Sequence, residues 1–378
     1  MDKKVKKVLV MGASGFVGGR LVEKLILEHG HVPKCLIRDF GKLTRIARFP
    51  VEIVYADILH PNDFEVSIKD CDVYIYSVHG KDKNKAISWE IDTKGLENML
   101  KLAVKNQIKQ FIFLSTTAIY ENESDKGEFD ESVVPVSSKK DYAGGKLAGE
   151  RICFEYSQKY NLPITVLRPT IIYGPFAPSF TIYPAELIMS GALKDYGCFD
   201  GICNPVYIDD VVDVIIKCIL NEKAFNEIFI VSSGETLSWK RFFDAFSIAI
   251  TGKPLEKSGQ ANFKIKSMPL FLLKKILKMI VQIAPDFAKS VYGYIKSKGS
   301  GNWSWVKGQD ASTINLNFYK KELVFKIDKL RTKLEYEPQY NFVKGFEITS
   351  EWLKHQRYFK KSGKEQQITT EDPRWQFY

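Results

Sequence analysis

The chain has 378 residues, of which 45% are hydrophobic and 26% are charged, and its formal net charge is +10. This length suits a sheet domain with a smaller lobe, and the composition excludes disordered and fibrous proteins. Basic residues are scattered from Lys3 to Lys364 without the clustered stripe that is typical of nucleic-acid-binding proteins. We therefore expect no nucleic-acid partner.

Six cysteines at irregular spacing, with no CxxC pair, indicate reduced thiols rather than a disulfide framework or a zinc site. We therefore expect a cytoplasmic protein without a metal. The longest apolar stretch, Met268–Ala284, contains three lysines and is shorter than the ~20 apolar residues that span a bilayer. It admits three interpretations: a lid over the substrate, a contact with a membrane surface, or plain packing.

Short apolar runs alternate with helical patterns over the first 170 residues. Strands are predicted at Val5–Met11, Val32–Ile37, Val51–Tyr55, Asp72–Tyr76, Phe111–Ser115 and Ile164–Arg168. Helices are predicted at Gly15–His29, Lys85–Lys105 and Asp141–Tyr160. This alternation predicts βαβ units and an α/β fold with a doubly wound parallel sheet.

The alternation breaks after Arg168, where three prolines interrupt the pattern and helices dominate. Further strands are predicted at Pro205–Ile208 and Glu227–Val231. We expect residues 1–173, with about 203–231, to form the sheet domain. Residues 174–202 and 232–378 then form a smaller, mainly helical lobe with a polar C-terminal tail.

A glycine-rich turn joins the first strand to the first helix. Its glycines permit a tight turn, a close approach of the backbone to a pyrophosphate, and close packing of helix on strand. The helix N-terminus adds free N–H groups and a partial positive charge. The expected dinucleotide contacts in this turn are Gly12, Ser14, Gly15, Phe16, Val17 and Gly18.

The second strand ends at Arg38 and Asp39, where a Rossmann sheet meets the adenosine ribose. An arginine there favours the 2′-phosphate of NADP, whereas an acidic residue accepts from the 2′-hydroxyl of NAD. Arg38 stands first, so NADP is the preferred cofactor. Asp39 follows directly, so NAD remains the alternative cofactor.

Three polar residues are candidates for proton chemistry. Tyr142 and Lys146 are four residues apart, so on a helix they share one face. A free tyrosine has a pKa of about 10, and a neighbouring ammonium lowers that value by favouring the phenolate. Thr116, at the end of the fifth strand, is the chosen hydroxyl for polarising a substrate oxygen, and its neighbours Ser115 and Thr117 are candidate structural caps.

These residues together resemble the extended short-chain dehydrogenase/reductase family, also called the NAD-dependent epimerase/dehydratase family. The matching segments are Gly12–Gly18, Asp57-Ile58, Ser115–Tyr120, Tyr142 with Lys146, Leu167–Pro175, Val206–Val211 and Ile327–Pro338. The resemblance implies a Rossmann fold and NAD(P)-dependent enzyme activity. It adds Asp57 and Ile58, near the adenine, and Val78, Pro169 and Ile172 to the expected cofactor contacts. It also implies a homodimer through the helices at Lys85–Lys105 and Asp141–Tyr160.

Departures from the family pattern bear on the substrate. Dehydratases of the family carry Asp-Glu where this chain has Thr117-Ala118, so dehydration is disfavoured. Nucleotide-sugar epimerases carry an Arg-Asp-aromatic run where this chain has residues 203–205, Cys-Asn-Pro. Asp92 stands where the family often has asparagine, and the sequence offers no account of it.

The leading hypothesis is an oxidoreductase that interconverts a ketone and a secondary alcohol on an apolar or sugar-like small molecule. Tyr142 moves the proton, Lys146 lowers the pKa of the tyrosine and holds the nicotinamide ribose, and Thr116 polarises the oxygen. A nucleotide-sugar epimerase or 4-ketoreductase is the alternative. A non-catalytic NAD(P)-binding sensor is an alternative of another class, which the intact trio disfavours.

Overall fold

The computed structural model describes residues 7–82, 84–120, 124–136, 140–258 and 317–356. Described residues up to Glu256 and from Asn317 onward belong to one compact unit. The predicted apolar segment Met268–Ala284 lies outside the described residues. None of the helices within the described ranges combines the length and the apolar character that crossing a bilayer requires.

A seven-stranded sheet forms the centre of this unit. Its strands are β1 Lys7–Met11, β2 Val32–Ile37, β3 Glu52–Tyr55, β4 Val73–Tyr76, β5 Gln110–Leu114, β6 Ile164–Pro169 and β7 Glu227–Val231. The spatial order is β3-β2-β1-β4-β5-β6-β7, and all neighbouring strands are parallel. Residues of β4 and β5 are buried on both faces, as expected where helices cover both sides. The predicted doubly wound parallel sheet is confirmed.

Ten α-helices lie in the described part of the chain. They are α1 Phe16–Leu27, α2 Glu65–Ile68, α3 Lys85–Glu90, α4 Leu96–Lys105, α5 Tyr142–Tyr160, α6 Tyr183–Met189, α7 Ile208–Cys218, α8 Trp239–Thr251, α9 Asp328–Leu334 and α10 Phe342–His355.

The helical segment predicted at Lys85–Lys105 is confirmed, with a change of helix type inside it. A π-helical turn, Ile91–Gly95, separates α3 from α4. This widened turn packs against the loop that follows β3, since a Cβ on Gly95 would lie 2.6 Å from Ile58 Cδ1. Helical periodicity does not reveal such a turn, because it adds one residue without changing the apolar pattern much.

Three short strand pairs form two-stranded sheets separate from the central sheet. Strand Ile171–Tyr173 pairs in parallel with Pro205–Tyr207, and Lys126–Phe129 pairs in parallel with Glu322–Phe325. Strand Ile202–Cys203 pairs in an antiparallel manner with Leu237–Ser238. These pairings bring the later part of the chain back to the carboxyl end of the sheet.

Candidate active site

The carboxyl ends of the parallel strands meet at one edge, where ligands bind in such sheets. Gly12 follows β1, Arg38 follows β2, Val78 lies just beyond β4, and Thr116 lies just beyond β5. Parallel register therefore places residues that are up to 104 positions apart in the chain along one edge.

The glycine turn is closed by its own backbone. Gly12 has φ +82°, and the Gly15 N–H donates to the Gly12 carbonyl at 2.9 Å. A Cβ on Gly18 would lie 2.2 Å from that carbonyl oxygen, so a side chain there does not fit. Gly15 caps α1 without any side-chain hydrogen bond, and the first turn of α1 has no acidic residue. The first N–H groups of α1 are thus suited to an anion.

Ser77 supports this turn from the neighbouring strand, and sequence reasoning missed it. Its hydroxyl donates to the Met11 carbonyl at 2.7 Å, and its N–H donates to the same oxygen at 3.1 Å. A Cβ on Gly12 would lie 2.8 Å from Ser77 Oγ. A serine after a buried strand gives no signal of its own, because the contact depends on β1 and β4 being neighbours.

The residues expected near the adenosine differ in the hydrogen bonds that their side chains make. Arg38 is exposed and makes no hydrogen bond or ion pair to the residues that the structure describes. Asp39 instead caps the turn after β2, its carboxylate accepting from the Gly41 N–H at 2.9 Å. Asp57 accepts from the Leu59 N–H at 3.0 Å, and Ile58 is buried. Arg38 is therefore the charged group left available at the end of β2.

Tyr142 is the first residue of α5. Asp141 caps the helix by accepting from the Gly144 N–H at 2.9 Å, which fixes the point where the helix begins. Lys146 follows one turn later on the same face. Tyr142 is 45% exposed, and its ring meets the ring of His79 edge to face, with centroids 4.6 Å apart.

Lys146 is buried where β4 and β5 end. Its ammonium donates to the carbonyl of Val78 at 3.0 Å and to that of Leu114 at 2.9 Å. Burial lowers the pKa of Lys146 to about 8, although the nearby carboxylate of Asp92 raises it. The pKa of this amine therefore lies well below that of a free lysine.

Thr116 is buried and its neighbours have structural partners. Its Oγ1 accepts from the Ala118 N–H at 3.2 Å, which leaves the hydroxyl hydrogen to donate. Ser115 donates to Glu150 at 2.5 Å, and Thr117 donates to the Pro169 carbonyl at 3.3 Å. Of the three hydroxyls, Thr116 is thus the one whose hydrogen has no assigned acceptor among the described residues.

A buried ion pair holds the strand ends against α5. Glu150 accepts from Arg168 Nε at 2.9 Å and Nη2 at 2.6 Å, and their side chains are 1% and 3% exposed. Arg168 also donates to the Tyr120 hydroxyl. This network joins β5, β6 and α5, so it positions Thr116 relative to α5. Arg168 stood in a matched segment, but its pairing with Glu150 was not predicted.

Asp92, the unexplained departure from the family pattern, lies in the π turn and is buried. Its two carboxylate oxygens are 3.1 and 3.0 Å from His79 Nδ1, and Oδ1 also accepts from the Gly80 N–H at 2.8 Å. The structure thus gives Asp92 a partner that the sequence did not indicate.

The paired aspartates at the start of α7 are structural. Asp209 makes a bidentate pair with Arg20 of α1, at 2.6 and 2.8 Å. Asp210 accepts from the Tyr336 hydroxyl at 2.8 Å and the Gln339 N–H at 2.7 Å. They fasten α1 and the segment before α10 to the same helix.

The remaining expected contacts lie close by. Pro169 ends β6, and Ile172 lies in the short strand Ile171–Tyr173, which continues from it. Val78 contributes the carbonyl that Lys146 binds. Ser14, Phe16 and Val17 are half-buried within the glycine turn.

Comparison with known proteins agrees with this architecture. The family model described as the NAD dependent epimerase/dehydratase family matches residues 8–231. A UDP-glucose 4-epimerase of Vibrio cholerae is 27% identical over 263 residues, which cover 66% of this chain and 77% of the relative. A 2-alkyl-3-oxoalkanoate reductase of Shewanella oneidensis is 23% identical over 266 residues, covering 66% and 67%.

Among solved structures, a UDP-glucuronic acid 4-epimerase from Bacillus cereus in complex with NAD has a TM-score of 0.68 at 18% identity. The alignment covers 93% of this chain and 99% of that one. This likeness concerns the fold. The family match spans more than half of the chain, and the chain therefore belongs to the NAD-dependent epimerase/dehydratase family of extended short-chain dehydrogenase/reductase enzymes.

Proposed function

We propose that this enzyme interconverts a ketone and a secondary alcohol on an apolar or sugar-like small molecule, with NADP(H) as the preferred cofactor. The observation that carries the proposal is the grouping of Thr116, Tyr142 and Lys146 at the carboxyl edge of the sheet, beside the glycine turn. The nicotinamide of the bound cofactor supplies or accepts the hydride.

The residues present fit a dinucleotide. The glycine turn has no room for a side chain at Gly18, and the start of α1 offers uncapped N–H groups for a pyrophosphate. The exposed guanidinium of Arg38 supports the preference for a 2′-phosphate, because Asp39 is occupied as a cap. The residues expected to hold the cofactor are those named for the glycine turn, with Arg38, Asp57, Ile58, Val78, Tyr142, Lys146, Pro169 and Ile172.

Tyr142 acts as the proton donor in ketone reduction and as the acceptor in alcohol oxidation. In this proposal the ammonium of Lys146, one turn further along α5, stabilises the phenolate form of Tyr142. The Thr116 hydroxyl donates to the substrate oxygen and stabilises the charge that develops on it. Lys146 also holds the nicotinamide ribose in this proposal.

Two observations argue against other reactions of the family. Thr117 is bound to the Pro169 carbonyl, so no acid or base for water loss stands next to Thr116 at this position. Asn204 donates to the Leu323 carbonyl at 2.7 Å and accepts from the Phe325 N–H at 3.3 Å. Its side chain is thus committed to structural contacts within the segment where related epimerases carry the Arg-Asp-aromatic run, and the buried Cys203 stands in place of the arginine.

A nucleotide-sugar epimerase or 4-ketoreductase is the second candidate, favoured by the name of the Vibrio cholerae relative. Thermal denaturation with added uridine or thymidine diphosphate separates the two. A concentration-dependent rise in Tm with either diphosphate alone favours the second candidate, because ligands of the folded state stabilise it.

The test of the leading proposal measures NADPH oxidation with phenanthrenequinone, an activated diketone, in the wild type and in Tyr142→Phe. We expect the variant to lose turnover while the Kd for NADPH stays within about twofold, because the phenol acts on the substrate oxygen. Tyr160→Phe is the matched control, since Tyr160 ends the same helix and is 43% exposed. Retained turnover in Tyr142→Phe excludes Tyr142 as the proton donor.

A homodimer through the faces of α3, α4 and α5 also remains a proposal. Sedimentation equilibrium of the full chain tests it.

A further inference from the structure

The pair formed by His79 and Asp92 lies beside the proposed proton donor. His79 Nδ1 faces both carboxylate oxygens of Asp92, at 3.1 and 3.0 Å. An ionised carboxylate only accepts hydrogen bonds, so Nδ1 carries the hydrogen and the orientation of the imidazole is set. The contact therefore fixes both the ring and its tautomer.

Asp92 itself has little freedom to move. Its side chain is 6% exposed, and it also accepts from the Gly80 N–H. A Cβ on Gly145 would lie 2.8 Å from Asp92 Oδ2, so the backbone of α5 packs closely against the carboxylate. A Cβ on Gly80 would lie 2.2 Å from the Ser88 carbonyl oxygen, which shows how closely this loop packs on α3. The carboxylate is thus held between the loop after β4, the π turn and α5.

The ring of Tyr142 lies next to this pair. Tyr142 stands at the first position of α5, and nearly half of its side chain is exposed. The ring of His79 meets it at an interplanar angle of 77°. Edge-to-face ring pairs are favourable beyond the area that they bury, so this contact favours one orientation of the exposed ring.

We propose that His79, fixed by Asp92, is a positioning residue that holds the phenol ring of Tyr142 in its working orientation. This inference rests on the proposed function, in which Tyr142 moves the proton. The same carboxylate favours the protonated form of Lys146. A single buried acid thus acts on Lys146 directly and on Tyr142 through His79. Among the described residues, Asp92 from the π turn and Tyr142 from α5 contact His79, and the ammonium of Lys146 binds the carbonyl of the preceding residue, Val78.

The experiment compares His79→Ala, which removes the ring, with His79→Phe, which keeps a ring but has no nitrogen. Two quantities are measured in each: the fluorine NMR signal of Tyr142 in fluorotyrosine-labelled protein, assigned with Tyr142→Phe, and the kinetics of NADPH oxidation with phenanthrenequinone. His355→Ala is the matched control, because His355 is exposed at the end of α10.

We expect His79→Ala to move the Tyr142 signal toward that of free fluorotyrosine. We also expect kcat to fall about tenfold to a hundredfold, as for a misplaced catalytic group, while the Kd for NADPH changes less than about twofold. His79→Phe should recover part of kcat, since it retains the ring contact with Tyr142 but loses the contact with Asp92 that fixes the ring.

Two results overturn the inference. One is a Tyr142 signal that His79→Ala leaves unchanged. The other is an equal loss of kcat in His79→Ala and His79→Phe, which would mean that the ring contact with Tyr142 contributes nothing to turnover. If the wild type transfers no hydride to the quinone, the proposed function fails in this assay. The fluorine signal then still decides whether His79 orients Tyr142.

Discussion

The glycine turn and the proposed catalytic corner, which consists of Thr116, Tyr142 and Lys146, lie at the same edge of the sheet but are built in different ways. The glycine turn is closed by main-chain contacts, such as Gly15 N–H to the Gly12 carbonyl, and by the absence of side chains. The proposed catalytic corner depends on the buried carboxylates of Glu150, one turn after Lys146 on α5, and of Asp92, from the π turn. A backbone site tolerates changes around it, whereas a corner supported by buried charges depends on each partner.

Glu150→Ala should have the largest effect on stability. It should disrupt the catalytic corner and leave the glycine turn intact. Removing one partner leaves Arg168 buried and unpaired, which costs about 3–5 kcal/mol in the free energy of unfolding. Urea denaturation followed by circular dichroism measures this loss. Glu155→Ala on the same helix is the control, and a loss below 1 kcal/mol in Glu150→Ala would contradict the structural role of the pair.

Gly18→Ala tests the turn itself. The added Cβ would meet the Gly12 carbonyl oxygen at 2.2 Å, and overpacking of this kind costs about 1–3 kcal/mol. We expect the affinity for NADPH, measured by fluorescence titration, to fall in proportion because the turn must open. Gly19→Ala is a close control, since its Cβ meets the flexible Arg45 side chain at 3.0 Å. Equal losses of NADPH affinity in Gly18→Ala and Gly19→Ala would contradict the close packing of Gly18 on the Gly12 carbonyl.

Arg38→Ala should have a selective effect on the cofactor. Loss of a charge-assisted hydrogen bond to the 2′-phosphate costs about 1.5–3 kcal/mol, which corresponds to roughly a tenfold to hundredfold weaker Kd for NADPH. The Kd for NADH should stay within about twofold. Arg151→Ala, at an exposed position of α5, controls for the loss of one positive charge. Equal losses for both cofactors would show that Arg38 does not contact the phosphate.

The smallest expected effect is a shift in the pH profile. As pH rises through about 8, folded Lys146 loses its proton, so the rate of NADPH oxidation should fall. Unfolded lysine keeps its proton up to about 10.5, so this group makes the free energy of unfolding rise between about pH 8 and 10.5. Asp92→Asn removes a charge that raises the pKa of Lys146 and should move the alkaline fall in rate to lower pH.

Two control variants make the pH prediction specific. Asp82→Asn, at an exposed position near Asp92 in the chain, should leave the profile in place. Lys146→Met should flatten the rise in the free energy of unfolding over the same pH range. A rate that stays constant up to pH 10 would contradict the role given to the ammonium.

Local spacing along the chain determined much of this protein by itself. The alternation of strands and helices predicted the parallel sheet, and the Gly12–Gly18 spacing and the four-residue separation of Tyr142 and Lys146 predicted the candidate site. These features are local, because a turn or one helix face depends on residues that are near each other in sequence.

Tertiary structure alone decided which distant side chains support that site. Ser77 reaches Met11 only because β4 lies next to β1, and Glu150 meets Arg168 only because α5 packs on β6. The π turn places Asp92 against His79, which a regular helical period does not predict. Buried polar groups must find partners wherever the fold brings them, and sequence distance carries no information about that pairing.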